Sequence, residues 1–457
     1  MSSTRVLSSL FSLAAFCGAC IATGSAASAG EVRLGAELGH STIHLKSKDR
    51  VYLRLSLKTL AARERPERAP INVALVIDRS GSMSGDRIAA AKKGAHVALE
   101  RLAADDIAAL VAYNHEVDVL AEAGRLGTKR DALDRAIDKL VASGTTALYA
   151  GVKEGGEQVK AHLSDIKVNR VVLLSDGLAN VGPSTPAELA ELGRELASKG
   201  ISVSTIGLGL EYNEDLMQRL AAASDGNHVF VERPSDLAEI FDREFGDALS
   251  VAARDIIIQI ECKSGFTPKR VLGRDAEIEG TRVTLRLNQL PADTERYVVV
   301  ELDAPASDLA AKEGEVARVA VDYLDLDSGA RASAKSDVTA RFTEDSKEFE
   351  ASINKGVMSQ VTEQIATENS EKAVELRDAG DIKAARRMLE DNAAYLNRQK
   401  SALGAGAFAA PTASISALDK LESKSREAAE NLEGESWDRT RKMMRHDQHK
   451  AKVQQSY

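Results

Sequence analysis

The chain has 457 residues, with 60 lysines and arginines against 69 aspartates and glutamates, a formal charge of −9. That length exceeds one ordinary core and sets an expectation of roughly two to three domains. The acidic balance excludes a broad phosphate-binding face, so no nucleic-acid partner is expected.

Residues 1–29, MSSTRVLSSLFSLAAFCGACIATGSAASA, carry an early Arg5, an apolar middle and a small-residue end with Ala27 and Ala29 in the A-x-A arrangement. They read as a signal peptide cleaved before Gly30, which makes the protein secreted or periplasmic. The alternative is a lipid anchor at Cys20, although the leucine expected three positions earlier is missing. Cleavage leaves Cys262 as the only thiol, so no internal disulfide supports the mature fold.

Residues 30–66 contain VYLRLSLKTL, in which Val51, Leu53, Leu55 and Leu57 alternate in the period-two manner of a half-buried strand. From 71 to 249 the pattern changes to apolar runs, INVALVI, RVVLLS and ISVSTIG, separated by helical spacings such as RIAAAKKGAHVALERL. Thr185-Pro186-Ala187-Glu188 marks one helix start with an N-cap, a proline at the first position and a capping glutamate. The sum predicts a doubly wound, mostly parallel α/β sheet. Residues 252–342 return to alternation in DIIIQIEC, RVTLRLN, RYVVVEL and ARVAVDYL. The two flanks are expected to pair into one β-sandwich with the α/β domain inserted between its strands.

An α-helical C-terminal region follows. Residues 343–403 read as a helical hairpin turning at Ala379-Gly380-Asp381, and 404–414, GAGAFAAPTAS, as a linker. Residues 415–457 read as a helical basic tail whose SWDRTRKMMRHDQHKAKVQ is a solvated, frayed helix, the one segment that could touch an anionic membrane.

The candidate chemistry lies where apolar runs end. In VALVIDRSGSMSG, Asp78, Ser80 and Ser82 follow a strand, and open α/β sheets collect ligands outside the carboxyl ends of their strands. SGTTALYAG places Thr145 and Thr146 at a helix mouth, and LLSDG places Asp176 at another strand end. Hydroxyls and carboxylates are hard oxygen donors, suited to Mg²⁺ or a similar ion and not to zinc or copper.

The segments DRSGSM, GTTALYAG and LLSDGLANVG resemble the metal-ion-dependent adhesion site of the von Willebrand factor A domain. The resemblance implies direct ligation by Ser80 and Ser82, with Asp78 and Asp176 acting through water or direct contact. It makes Thr146 the last side-chain ligand in preference to Thr145, because the family threonine stands three residues before an aromatic position, here Tyr149. It implies Mg²⁺, with Mn²⁺ or Ca²⁺ as substitutes, and a protein partner whose aspartate or glutamate completes the coordination. NVGPSTPAELAELGRELASKGISVSTIGLGLEYNEDLMQRLAAA also resembles bacterial secreted members that carry β-rich flanks and are likened to inter-alpha-trypsin-inhibitor heavy chains and calcium-activated chloride channel subunits. No pore-forming helix is present to carry channel activity.

Enzymatic readings fare worse. A haloacid-dehalogenase phosphatase needs a second aspartate where Ser80 stands, and no Walker A lysine loop exists. His115 and His228 fall near predicted strand ends, while His446 and His449 share a helix face without a third ligand for zinc. The expectation is therefore no enzyme but metal-bridged binding. An envelope scaffold with a structural metal, and then a metal-dependent hydrolase, are the alternatives.

Overall fold

The computed structural model describes residues 32–44, 50–59, 68–305, 312–405 and 409–454. The signal-peptide reading of residues 1–29 lies outside the described residues. Among them, no helix is long and apolar enough to cross a membrane.

The chain opens with β1 (Val32–Leu38), β2 (Thr42–His44) and β3 (Val51–Thr59). An α/β unit follows: β4 (Ile71–Asp78), α1 (Asp86–Arg101), β5 (Ile107–Tyr113), β6 (Val117–Arg125), α2 (Leu126–Asp138), α3 (Leu148–Lys160), β7 (Val168–Ser175), α4 (Pro186–Ser198), β8 (Ile201–Leu208), α5 (Glu214–Ala223), β9 (His228–Val231) and α6 (Leu237–Leu249). Its sheet runs in the order β6-β5-β4-β7-β8-β9 and is parallel except for β6, which lies antiparallel to β5. Every residue of β4 is buried because both faces are covered. Val73, Leu75 and Ile77 pack with α1, α2 and α6, whereas Ala74 and Val76 pack with α3, α4 and α5. The expected doubly wound α/β fold is present.

The chain then makes β10 (Val251–Cys262), β11 (Thr267–Leu272), β12 (Glu277–Glu279), β13 (Arg282–Pro291), β14 (Glu295–Asp303), β15 (Glu313–Asp325) and β16 (Arg331–Thr343). With the N-terminal strands these build two sheets, β1-β3-β14-β11 and β12-β13-β10-β15-β16-β2. The alternating Leu53, Leu55 and Leu57 of β3 share a core with Ile256, Ile258 and Ile260 of β10 and with Val298 and Val300 of β14. Alternation puts one row of each strand inward, so two such faces close on each other.

Helices α7 (Ser346–Ala351), α8 (Lys355–Asp378), α9 (Ile382–Gly404), α10 (Thr412–Glu430) and α11 (Glu435–Val453) complete the chain. The linker expected over 404–414 is shorter, since α10 already begins at Thr412. The last helix corrects a larger expectation. Instead of fraying in solvent, α11 is docked, with Trp437, Lys442, Gln448 and His449 all buried. Three of its basic residues reach acids of other helices. Arg441 contacts Glu214, Asp215 and Asp378, Lys442 contacts Glu214, and Arg445 contacts Asp215. These acids lie in α5 and α8, so α11 ties the helical region to the α/β unit, and the charges of Arg441, Lys442 and Arg445 face protein.

Candidate metal centre

Three loops at the carboxyl end of the sheet meet above β4 and β7. The first leaves β4 at Asp78 and is pinned to its neighbours by backbone bonds, Arg79 N to Tyr113 O at 2.8 Å and Gly81 N to Gly144 O at 2.9 Å. The second loop is fixed by Ser143 N to Arg79 O at 2.7 Å and Ala147 N to Asn114 O at 2.6 Å. The third follows β7, where Asn180 accepts from Thr146 N at 2.9 Å through its side chain and donates its own N–H to Thr146 O at 3.1 Å. The loops are therefore cross-braced before any ligand is considered.

All five sequence-predicted residues come together here. Ser80 Oγ lies 3.0 Å from Ser82 Oγ, and Ser82 Oγ donates to Asp176 Oδ1 at 2.7 Å. Gly177 fixes where Thr146 sits: a Cβ added there would stand 3.3 Å from Ser82 Oγ, 3.3 Å from Thr146 Oγ1 and 3.9 Å from Ser80 Oγ. Three hydroxyls from two loops thus surround one bare backbone position of the third. Thr146 is buried and Thr145 exposed, so the side chain turned into the site is Thr146.

Asp78 stands one layer deeper. Its Oδ1 accepts from Ser80 N at 2.8 Å and its Oδ2 from Ser175 Oγ at 2.6 Å. Burial pushes its carboxyl up to about 6, against the pull of the Ser175 and Ser80 hydrogen bonds, and the nearby Asp176 charge adds to the rise. Asp78 therefore orients the serine turn more than it reaches out of it.

Sequence reasoning missed Ser175, which anchors Asp78, although it stands beside Asp176 in LLSDG. It also missed Arg87, whose Nη1 donates to Asp176 Oδ2 at 2.6 Å while Nη2 donates to Glu211 Oε2 at 2.8 Å. Partial burial pulls the Arg87 pKa down, but these acidic partners outweigh it and raise it. Position 87, in the first turn of the helix after the serine turn, was the available signal. His115 is exposed, beside Gly144, whereas His228 does not line this face. It is buried on β9 with its Nδ1 2.9 Å from Thr205 Oγ1 and its ring facing His449.

The donor set fits a hard divalent cation. Two fully buried carboxylates, Asp78 and Asp176, lie beside three hydroxyl oxygens, and a dication offsets the repulsion between the acids. Ser82 is exposed, so a further ligand can approach from solvent. Among the described residues, no group of three or more His, Cys, Asp or Glu is placed to hold a metal ion.

Residues 72–243 match the family model described as von Willebrand factor type A domain. A Synechocystis sp. protein, sll0103, is 26% identical over 252 residues, covering 53% of this chain and 59% of its own length. Human inter-alpha-trypsin inhibitor heavy chain H3 is 27% identical over 171 residues, covering 36% of this chain and 19% of its own. The chain thus spans less than two thirds of these curated relatives. Among solved structures, a von Willebrand factor type A protein from Catenulispora acidiphila superposes with a TM-score of 0.66 at 19% identity, covering 80% of this chain and 87% of that one. The ArnB paralog VWA2 from Sulfolobus acidocaldarius gives 0.59 at 16% identity and covers 92% of this chain and 98% of that one, so the fold likeness extends beyond the α/β unit.

Proposed function

Because this chain is a von Willebrand factor type A domain protein, we propose that it is an exported protein that captures partner proteins through a divalent cation, without turnover. Proteins with this domain commonly mediate protein–protein interaction or adhesion. Ser80, Ser82 and Thr146 hold the ion through their hydroxyls, Asp176 contributes its charge, and Asp78 supports the serine turn. The ion is Mg²⁺, with Mn²⁺ or Ca²⁺ able to replace it. Hydroxyl ligands leave it electron-poor, which favours an aspartate or glutamate from a partner as the final ligand.

One observation carries this reading: three hydroxyls and the Asp176 carboxylate meet around Gly177 on the solvent-facing end of the sheet. The test uses wild-type and Ser82→Ala baits in envelope extracts, with Mg²⁺ or EDTA. The expected result is a Mg²⁺-dependent rise in melting temperature and capture of a partner, both lost in Ser82→Ala. Capture that survives the substitution and EDTA replaces this reading with a scaffold held together by its helices. Turnover of a phosphate or ester panel, lost in the same variant, makes it a hydrolase.

A further inference from the structure

One cationic side chain touches the site without belonging to its oxygen donors. Asp176 presents Oδ1 to the Ser82 hydroxyl and Oδ2 to the Arg87 guanidinium. The carboxylate is fully buried, whereas the Arg87 side chain keeps 26% exposure and that of Glu211 keeps 62%. Arg87 is therefore shared between an acid inside the site and an acid outside it. The loop after β8 makes room for this sharing. Gly209, at φ +77°, would place a Cβ 3.2 Å from Arg87 Nη2, so a side chain there would crowd the guanidinium as well as strain the backbone.

We propose that Arg87 is a built-in competitor of the divalent ion for Asp176, and that Glu211 retains the guanidinium when the ion takes the carboxylate. The proposal rests on the metal-site reading above. A dication and a guanidinium on one buried carboxylate repel each other, more strongly near a protein surface than in bulk water. Part of that repulsion is screened, because Arg87 reaches solvent. The outcome is a metal affinity held below what the oxygen donors alone would give. A partner's carboxylate offsets the excess positive charge, so ion and partner bind with positive coupling, each raising the affinity for the other. Arg87 is thus a regulator of the site, making a stably loaded metal depend on the presence of an acidic partner.

Mg²⁺ titration by calorimetry, on the full chain at fixed ionic strength, separates the possibilities. Arg87→Gln is expected to bind Mg²⁺ roughly three- to thirtyfold more tightly than wild type, and Glu211→Gln a few-fold more weakly, because the guanidinium then has Asp176 alone. Equal or weaker binding by Arg87→Gln overturns the proposal. Should Arg87→Gln fail to fold, the exposed Glu211→Gln decides: weaker binding supports competition, and unchanged or tighter binding refutes it. If wild type and both variants all fail to bind Mg²⁺ or Mn²⁺, the metal-site reading itself falls. If all bind equally, only the role of Arg87 does.

Discussion

Lys442 of α11 lies over the ring of Tyr212, with Nζ 4.5 Å from the ring centroid and 2.8 Å from the Tyr212 carbonyl oxygen. The same ammonium pairs with Glu214 at 2.5 Å, and both partners are nearly fully buried. Tyr212 is the neighbour of Glu211, so the C-terminal helix grips the loop that also receives Arg87. Lys442→Met leaves the buried Glu214 with Arg441 as its remaining cation, and should destabilise the protein by about 2–4 kcal/mol. Urea unfolding followed through Trp437, the only tryptophan and a residue of α11 itself, measures this. An unchanged midpoint refutes it.

Acid should loosen the same contact. Burial holds His228 and His446 below their ordinary pKa and pushes His449 down to about 3; the neighbouring histidines and Lys442, Lys450, Lys452, Lys424 and Arg274 reinforce these shifts, while Asp447 and the His228 carbonyl oppose that of His446 and the Gly226 carbonyl that of His449. The folded state resists protonation that the unfolded state accepts, so stability is full above about pH 6.5 and falls as pH drops below it. For His449 alone the loss is about 2 kcal/mol at pH 5. His449→Gln keeps a donor for the Gly226 carbonyl, which His449 Nε2 reaches at 3.0 Å, and should flatten the decline measured by thermal unfolding between pH 7 and pH 5.

Gly177 offers a substitution aimed at the hydroxyl cluster alone. The methyl of Gly177→Ala would sit 3.3 Å from both Ser82 Oγ and Thr146 Oγ1, tighter than ordinary van der Waals contact. Mg²⁺ affinity should fall about tenfold, a change of about 1.4 kcal/mol. Circular dichroism should stay as in wild type. Unchanged Mg²⁺ affinity would place the ion elsewhere.

Arg170 on β7 and Glu244 on α6 form an ion pair with both side chains 1% exposed, and Glu244 also accepts from Asn227 at 2.9 Å. Glu244→Ala strands a buried guanidinium and should destabilise by about 3–5 kcal/mol. Replacing both partners, Arg170→Met with Glu244→Leu, should restore most of that, because two buried charges are then removed together. Guanidinium denaturation of wild type and these two variants checks both expectations.

Local signals made much of this legible. INVALVI reads as a strand covered on both sides because five apolar residues follow Asn72 without alternation, and β4 is buried throughout, with Asn72 Nδ2 donating to Val159 O at 2.7 Å. The oxygen donors were readable because each closes or follows a short apolar run, and the sheet brings such ends together. Arg87 and Ser175 were not, since their roles depend on which way a side chain turns once three loops have closed. The docking of α11 was hidden for a different reason. Its counter-charges, Glu214, Asp215 and Asp378, lie more than sixty residues away, so the segment reads as a free basic helix.

The sandwich also sets an order on synthesis. Thr59 at the end of β3 bonds to Thr294, 235 residues later, and the whole of β3 lines up against β14. As the ribosome delivers the chain, β1 and β3 emerge first and have only each other, while β4 to α6 can already close their own parallel sheet. The early β1–β3 pair must therefore keep an apolar edge unmatched until β14 arrives, a long-range closure that is slow and open to aggregation. An interval of guarded waiting is thus written into the topology, and a holding chaperone would find its substrate in residues 32–59.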